Sequence, residues 1–342
     1  MKHISQRLLN LLIFFVLFSH TGFAAVSDDP AIDDQPLREA LSLPDWFKVS
    51  FLDIQEDITD ARKSRRGLII YFGQKYCPYC KAHLTKNWAR PDIVSYTRAN
   101  FDVIAIDVRG DKQVTDLDGT EYTEKTFAAH YNATFTPTLL FFDHNGKQAL
   151  KLSGFRRPYQ FRAALEYVTD LHHKDESFRE YLARAESAES FGHDTLNESD
   201  IFITEQTNLL ELIKNKPLAV FFEETRCHAC DVLHGGPMKK PAILKQFLKL
   251  NAVQLNMWQE TPVTTPAGEK TTAKKWADKL ELNYAPTIIF YDQTGTEILR
   301  VDSVVGFLRL NNVLQFINDG VYRKQPNYLL WREQQTQKQI RN

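Results

Sequence analysis

Cysteine is scarce: four residues in 342, far too few for a disulfide-scaffolded protein of this length. An excess of charge of either sign is also missing, with 42 Lys and Arg against 43 Asp and Glu. That balance argues against a nucleic-acid binder, whose phosphate contacts demand a basic excess. Glycine and proline, fourteen of each, exclude collagen-like and low-complexity chains. No glycine-rich phosphate loop and no Ser-His-Asp arrangement stands out. Beyond the first residues, no apolar run approaches the roughly 20 residues that span a membrane. What the chain does have is 43% apolar residues and length enough for two domains, each able to bury its own core.

The opening residues read as an export signal. Lys2 and Arg7 precede an apolar run from Leu8 to Phe18 broken only by Asn10, and Gly22-Phe23-Ala24 puts small residues where a signal peptidase cuts. The expectation is cleavage after Ala24 and a periplasmic mature chain whose formal charge moves from −1 to −3. An uncleaved membrane anchor is the alternative, although the run is short for a spanning helix. The final Gln339-Ile340-Arg341-Asn342 is not an endoplasmic-reticulum retention signal. Disulfides persist at such an exported address.

The four cysteines form two CxxC pairs, Cys77 with Cys80 and Cys227 with Cys230. The pairs belong to a repeat. Cys77 and Cys227 are 150 apart, as are Pro91 and Pro241; Gly119 and Gly268 are 149 apart, as are Pro137 and Pro286. TFTPTLLFFDHNGK (134–147) runs parallel to NYAPTIIFYDQTGT (283–296). The chain is a duplicated domain.

Each copy carries the same series of elements. In the first, Gly67 to Phe72 is a buried strand, Pro78 to Trp88 a helix, and Pro91 opens a second helix with its fixed φ. Phe101 to Val108 is a strand, Asp111 to Thr123 a polar insertion, and Glu124 to Tyr131 a helix. Thr138 to Leu152 is a hairpin turning at His144-Asn145-Gly146, and Pro158 to Leu171 an amphipathic helix. The second copy gives strand Leu218 to Phe222, a helix from Ala229 broken at Gly235-Gly236-Pro237, and strand Ala252 to Trp258. Helix Ala273 to Leu280, hairpin Thr287 to Val301 and helix Phe307 to Asp319 follow. One exposed helix is expected between the copies, around Glu176 to Ala188.

A strand running into CxxC at a helix start, with Thr-Pro or Ala-Pro about 60 residues on before a hairpin, resembles the thioredoxin family. The resemblance implies an α/β chain of two tandem thioredoxin-like domains, each a central mixed β-sheet flanked by helices. The organisation expected is signal peptide 1–24, leader 25–44, first domain 45–172, linker 173–204, second domain 205–320 and tail 321–342. With DWFK at 45–48, CPYC and FTPTLLFFD, the first copy looks most like SoxW-type exported bacterial thioredoxins. The second copy departs further, with CHAC.

The chemistry follows from where the cysteines fall. Only a thiolate attacks a disulfide, and free cysteine has a pKa near 8.5, so the thiol must be acidified. Cys77 and Cys227 stand at a helix N-terminal edge, where the dipole and unpaired N–H groups favour an anion. They are read as the attacking thiols, and Cys80 and Cys230, one turn inside, as the resolving ones. Lys75 and Lys81 in the first copy, and Arg226 and His228 in the second, are candidates for lowering the thiol pKa further; a solvated surface charge is an equal reading for the two lysines, and His228, between its cysteines, is the better candidate.

By resemblance, Pro137 and Pro286 are the family's cis-prolines, and Thr136 and Ala285 before them present backbone to an extended substrate chain. The family's buried Asp, six residues before the first cysteine, is replaced by Tyr71 and Phe221. Glu223 and Glu224 are candidates to substitute for it in the second copy, with exposed loop carboxylates the preferred reading; Arg156 and Arg157 are read as a solvated helix entry in preference to an anion site.

The reading is thiol–disulfide exchange with protein cysteines, as a reductase or isomerase rather than an oxidase. No small cofactor and no nucleic acid is implied; a membrane electron donor is. Two rivals stand beside it. Soft-metal binding would use Cys77, Cys80 and His83, or Cys227, Cys230 and His234. A redox-inert peptide-binding module would keep the fold and use only its groove.

Overall fold

A computed structural model describes residues 32–185, 195–204 and 207–341. The signal sequence expected at 1–24 lies outside them, as do parts of the expected leader and linker. Among the described residues, no helix is long and apolar enough to cross a membrane.

The first half opens with α1 (Ile54–Lys63), which the sequence reading left unassigned. Asp53 caps it by accepting from the Glu56 N–H, with acids in the first turn and Arg62 and Lys63 in the last. Strand β1 (Gly67–Gly73) follows, buried at every position, and then α2 (Pro78–Lys86) and α3 (Pro91–Asn100), each with Pro in its first turn. Next come β2 (Phe101–Asp107), the short hairpin β3 (Gln113–Thr115) and β4 (Glu121–Thr123), and α4 (Glu124–His130). The polar insertion is thus a hairpin, turning at Gly119 with φ 82°. Strands β5 (Thr138–Phe142) and β6 (Gln148–Ser153) and helix α5 (Pro158–Thr169) complete the unit.

The sheet order is β2-β1-β5-β6, with β2 parallel and β5 antiparallel to β1. Successive side chains leave a strand on opposite faces. Ile69, Tyr71, Leu139 and Phe141 therefore join one core with residues of α2, α3 and α5, while Leu68, Ile70, Phe72, Leu140 and Phe142 join another with α1 and α4.

Helix α6 (Phe178–Ala185) is the connector helix, and it is not the exposed element expected. Phe178 and Tyr181 are buried, their rings 5.2 and 5.3 Å from Tyr167 of α5. Residues 186–188 of that expectation lie outside the described residues.

The second half repeats the plan. Its elements are α7 (Leu209–Leu212), β7 (Leu218–Glu223), α8 (His228–Gly235), α9 (Pro241–Phe247), β8 (Asn251–Asn256), β9 (Pro262–Thr264), β10 (Lys270–Thr272), α10 (Ala273–Lys279), β11 (Thr287–Tyr291), β12 (Glu297–Val301) and α11 (Phe307–Asn318). The order β12-β11-β7-β8 reproduces that of the first sheet. Within the expected tail, α12 (Tyr328–Arg341) places Tyr328 and Trp331 in the second core and Leu329 against the first.

The two halves meet just beyond the ends of β6 and β12. Gly154 and Ser303 are 149 apart, the offset of the repeat, and they touch. Equivalent residues meet one another only on the axis of a two-fold relation. An arginine of the opposite half reaches each of two equivalent rings: Arg156 stacks 4.3 Å from the Tyr284 ring, and Arg309 lies 5.1 Å from the ring of Phe135, the residue equivalent to Tyr284. The correspondence is approximate, since the two arginines do not stand at equivalent positions.

Candidate active site

Strand β1 ends at Gly73 and delivers the chain to Cys77, the N-cap of α2, in extended backbone with Pro78 behind it. The Cys80 N–H donates to Cys77 Sγ at 2.9 Å. In the second copy, Cys227 caps α8 and accepts from the Cys230 N–H at 3.0 Å. A sulfur thus sits where capping oxygens normally do, at the end of the helix whose free N–H groups stabilise an anion. Both pairs are joined as disulfides.

The Thr136–Pro137 and Ala285–Pro286 bonds are cis. In the first site, the Thr136 hydroxyl donates to Cys77 Sγ at 3.2 Å and accepts from Gln74 Nε2 at 3.0 Å, with the Thr136 carbonyl oxygen 3.5 Å from the same sulfur. Ala285 has no hydroxyl, and only its carbonyl, at 3.7 Å, lies against Cys227 Sγ. Cys80 and Cys230 are fully buried, Cys77 is 1% exposed and Cys227 8%.

Tyr71 and Phe221 are both buried in their strands. Burial pushes the Tyr71 phenol well above its ordinary value. Glu223 corrects the sequence reading. It is fully buried at the end of β7, where Oε1 accepts from His234 Nε2 at 2.8 Å and Oε2 from Gln254 Nε2 at 2.9 Å. A strand-period signal was present: Glu223 stands two residues after Phe221 and so on the same face of the sheet. Glu224 is half-buried and bonds the Trp258 indole at 2.5 Å, so it too is no exposed loop carboxylate.

Arg156 is a second correction. Instead of entering solvent it is 1% exposed, donating to the Ser153 carbonyl at 2.6 Å and the Asp302 carbonyl at 3.1 Å. Stacking against Tyr284 and the two backbone acceptors replace much of its hydration, while Nε is left without a partner among the described residues.

Lys75 and Lys81 are exposed and His228 is half-buried between the second pair of cysteines. His83 is fully buried, its ring edge-on to Trp88 and Phe161 at 4.5 and 4.6 Å, with Nδ1 accepting from Asn87 Nδ2 at 3.0 Å. Burial, aided by the Arg156 charge, pushes its pKa down to about 3. His234 is engaged by Glu223. Among the described residues, no group of three or more His, Cys, Asp or Glu side chains is arranged to hold a metal ion.

Several residues of the first site escaped the sequence reading. Gly306 N donates to the Tyr79 hydroxyl at 2.7 Å and Arg309 Nη2 to the Thr136 carbonyl at 3.1 Å. Asp34 accepts from the Arg309 N–H at 2.9 Å. No local signal marks them, because the partners are 173 to 275 residues apart in the chain.

The thioredoxin-like domain family matches this chain twice, over residues 54–169 and 212–318. The two matches together cover well over half of the sequence. The chain therefore belongs to the thioredoxin-like family and carries its domain in tandem, each copy with a CxxC pair that forms a disulfide.

Solved structures similar to it include a thioredoxin-fold protein from Helicobacter pylori (22% identity, 41% of this chain and 87% of that chain, TM-score 0.33). A thioredoxin from Thermus thermophilus is similar at 25% identity over 33% of this chain and 81% of that one, with TM-score 0.27. A disulphide isomerase from Xylella fastidiosa matches at 16% identity over 43% of this chain and 100% of that chain, with TM-score 0.26. A search of curated proteins gave no match.

Proposed function

We propose that the protein is a thiol–disulfide oxidoreductase that exchanges disulfides with protein cysteines, as a reductase or isomerase rather than an oxidase. The observation that carries this reading is the pairing, in both copies, of a disulfide at a helix N-terminus with a cis-proline loop against its first sulfur.

In the reducing direction, the Cys77 or Cys227 thiolate attacks one sulfur of a substrate disulfide. A mixed disulfide forms and one substrate thiolate leaves. The Cys80 or Cys230 thiolate then attacks the enzyme sulfur of that bond, closing the intramolecular disulfide and releasing the second substrate thiolate. Two electrons pass to the substrate, and a dithiol donor must return them. The proposal includes export to the periplasm by residues 1–24, supported by Lys2, Arg7 and the Leu8–Phe18 run. It also includes a membrane protein as the electron donor, inferred from the family resemblance.

The test is a Cys80→Ser, Cys230→Ser protein. Without resolving thiols, Cys227 is expected to accumulate mixed disulfides with a disulfide-bonded protein such as insulin, and Cys77 with a disulfide such as oxidised glutathione, each cleaved by dithiothreitol and visible by mass. No adduct at either cysteine would overturn the reading.

A further inference from the structure

The first cis-proline loop is occupied by the second domain. Thr136 is 2% and Phe135 4% exposed, and Phe135 packs among the apolar side chains of the second core, 5.6 Å from the Tyr328 ring. The Arg309 guanidinium lies 3.6 Å from the Tyr79 ring centre and bonds the Thr136 carbonyl, the group an extended protein chain would use for pairing. The leader completes the cover. Leu37 N donates to the Tyr76 carbonyl at 3.1 Å and Leu41 N to the Lys75 carbonyl at 2.8 Å. Asp34 ties the leader to α11, and a side chain at Gly306 would strike its carboxylate.

Among the described residues, the second site lacks this cover over its corresponding groups. Ala285 is half-buried, as are His228 and Ala229, and among the described residues no side chain of the first domain bonds the Ala285 carbonyl.

We propose that Arg309 determines the specificity of the first dithiol: with Asp34 and the leader it holds the Thr136 carbonyl and closes the groove to protein chains. A small disulfide needs only local side-chain movement to meet Cys77. A protein chain needs Arg309 and the leader displaced together. The two sites thus differ in substrate size, the second taking protein chains and the first small disulfides while α11 is seated. Arg309 acts through Thr136 and takes no part in the sulfur chemistry.

This inference rests on the exchange reading above. Its test uses the full chain with Cys227→Ser and Cys230→Ser, so that only Cys77 and Cys80 react. The protein is reduced with dithiothreitol, freed of it, and mixed in single turnover with oxidised glutathione or with insulin. In each case the Cys77 and Cys80 thiols become one disulfide and one substrate disulfide becomes two thiols. The expected result is that Arg309→Ala raises the ratio of the insulin rate to the glutathione rate by about tenfold, with Asp34→Ala moving it the same way.

A second readout separates closure from loosened folding. Arg309→Ala should accelerate alkylation of reduced Cys77 by a long poly(ethylene glycol) maleimide far more than by iodoacetamide. Equal acceleration of both probes, or a rate ratio unchanged from the parent, would overturn the inference. Failure of Cys77 and Cys80 to exchange even with oxidised glutathione would instead bring down the exchange reading for this pair.

Discussion

Glu223 and His234 form a closed carboxylate–imidazole pair at the heart of the second domain, 2.8 Å apart, with the carboxylate fully buried. The pair continues through Gln254 to the Asn197 carbonyl, at 2.9 Å, and so fastens the connector to the sheet. Removing one partner leaves the others buried without a counterpart, which costs more than the pair itself contributes. Glu223→Ala is expected to destabilise the second domain by about 3 kcal/mol, read as a lowered urea midpoint of its tryptophan fluorescence.

Position 154 is specified by two independent constraints. Gly154 has φ 73° and faces Ser303 so closely that a Cβ would collide with its side chain. Gly154→Ala is expected to cost about 1–3 kcal/mol through backbone strain and the collision together. Adding Ser303→Gly should recover the collision component alone. A double-mutant cycle from chemical denaturation measures that coupling; no coupling would mean that the residues do not pack as described.

His83 makes stability acid-sensitive. The unfolded chain takes up this proton near pH 6.5, whereas the folded chain, with the imidazole buried, does so only at about 3. Between these values the unfolded state binds more protons, so stability falls as the pH drops from about 6.5 to about 3, by about 1.4 kcal/mol per unit. His83→Phe should flatten that part of the profile in unfolding experiments run across this pH window. An unchanged slope would assign the acid sensitivity elsewhere.

Thr136 gives the first site a sulfur contact that Ala285 cannot supply. Thr136→Ala removes the hydroxyl that bonds Cys77 Sγ and Gln74. Since a hydrogen bond to the charged form favours it, the substitution should raise the apparent pKa of reduced Cys77, measured as the pH dependence of its alkylation. Ala285→Thr is the complementary change in the second site.

Much of the architecture was written in local pattern. The offsets of Cys77 and Cys227, Pro137 and Pro286, and Gly119 and Gly268 identified the duplication, and the apolar stretches 67–72 and 218–222 located the sheet centres. Helix α1 was harder to read, because Asp57 lies on its buried face. That acid is satisfied by Lys48 at 2.9 Å and Ser50 at 2.5 Å, partners outside the helix. Glu223 and Arg156 looked solvated for the same reason: a charged side chain is buried only when distant groups receive it. The cover on the first site was illegible, since Arg309, Asp34 and Thr136 meet only in the folded chain.

The central claim is that both cysteine pairs are working dithiols, and the most direct measurement is a redox titration of each pair, resolved by mass after alkylation. The account predicts that Cys77 with Cys80 and Cys227 with Cys230 each titrate as a two-electron couple, at about −180 mV or below, in the span from disulfide isomerase to thioredoxin. Values near −120 mV would contradict the assigned direction, and failure of both pairs to titrate as two-electron couples would contradict the function itself.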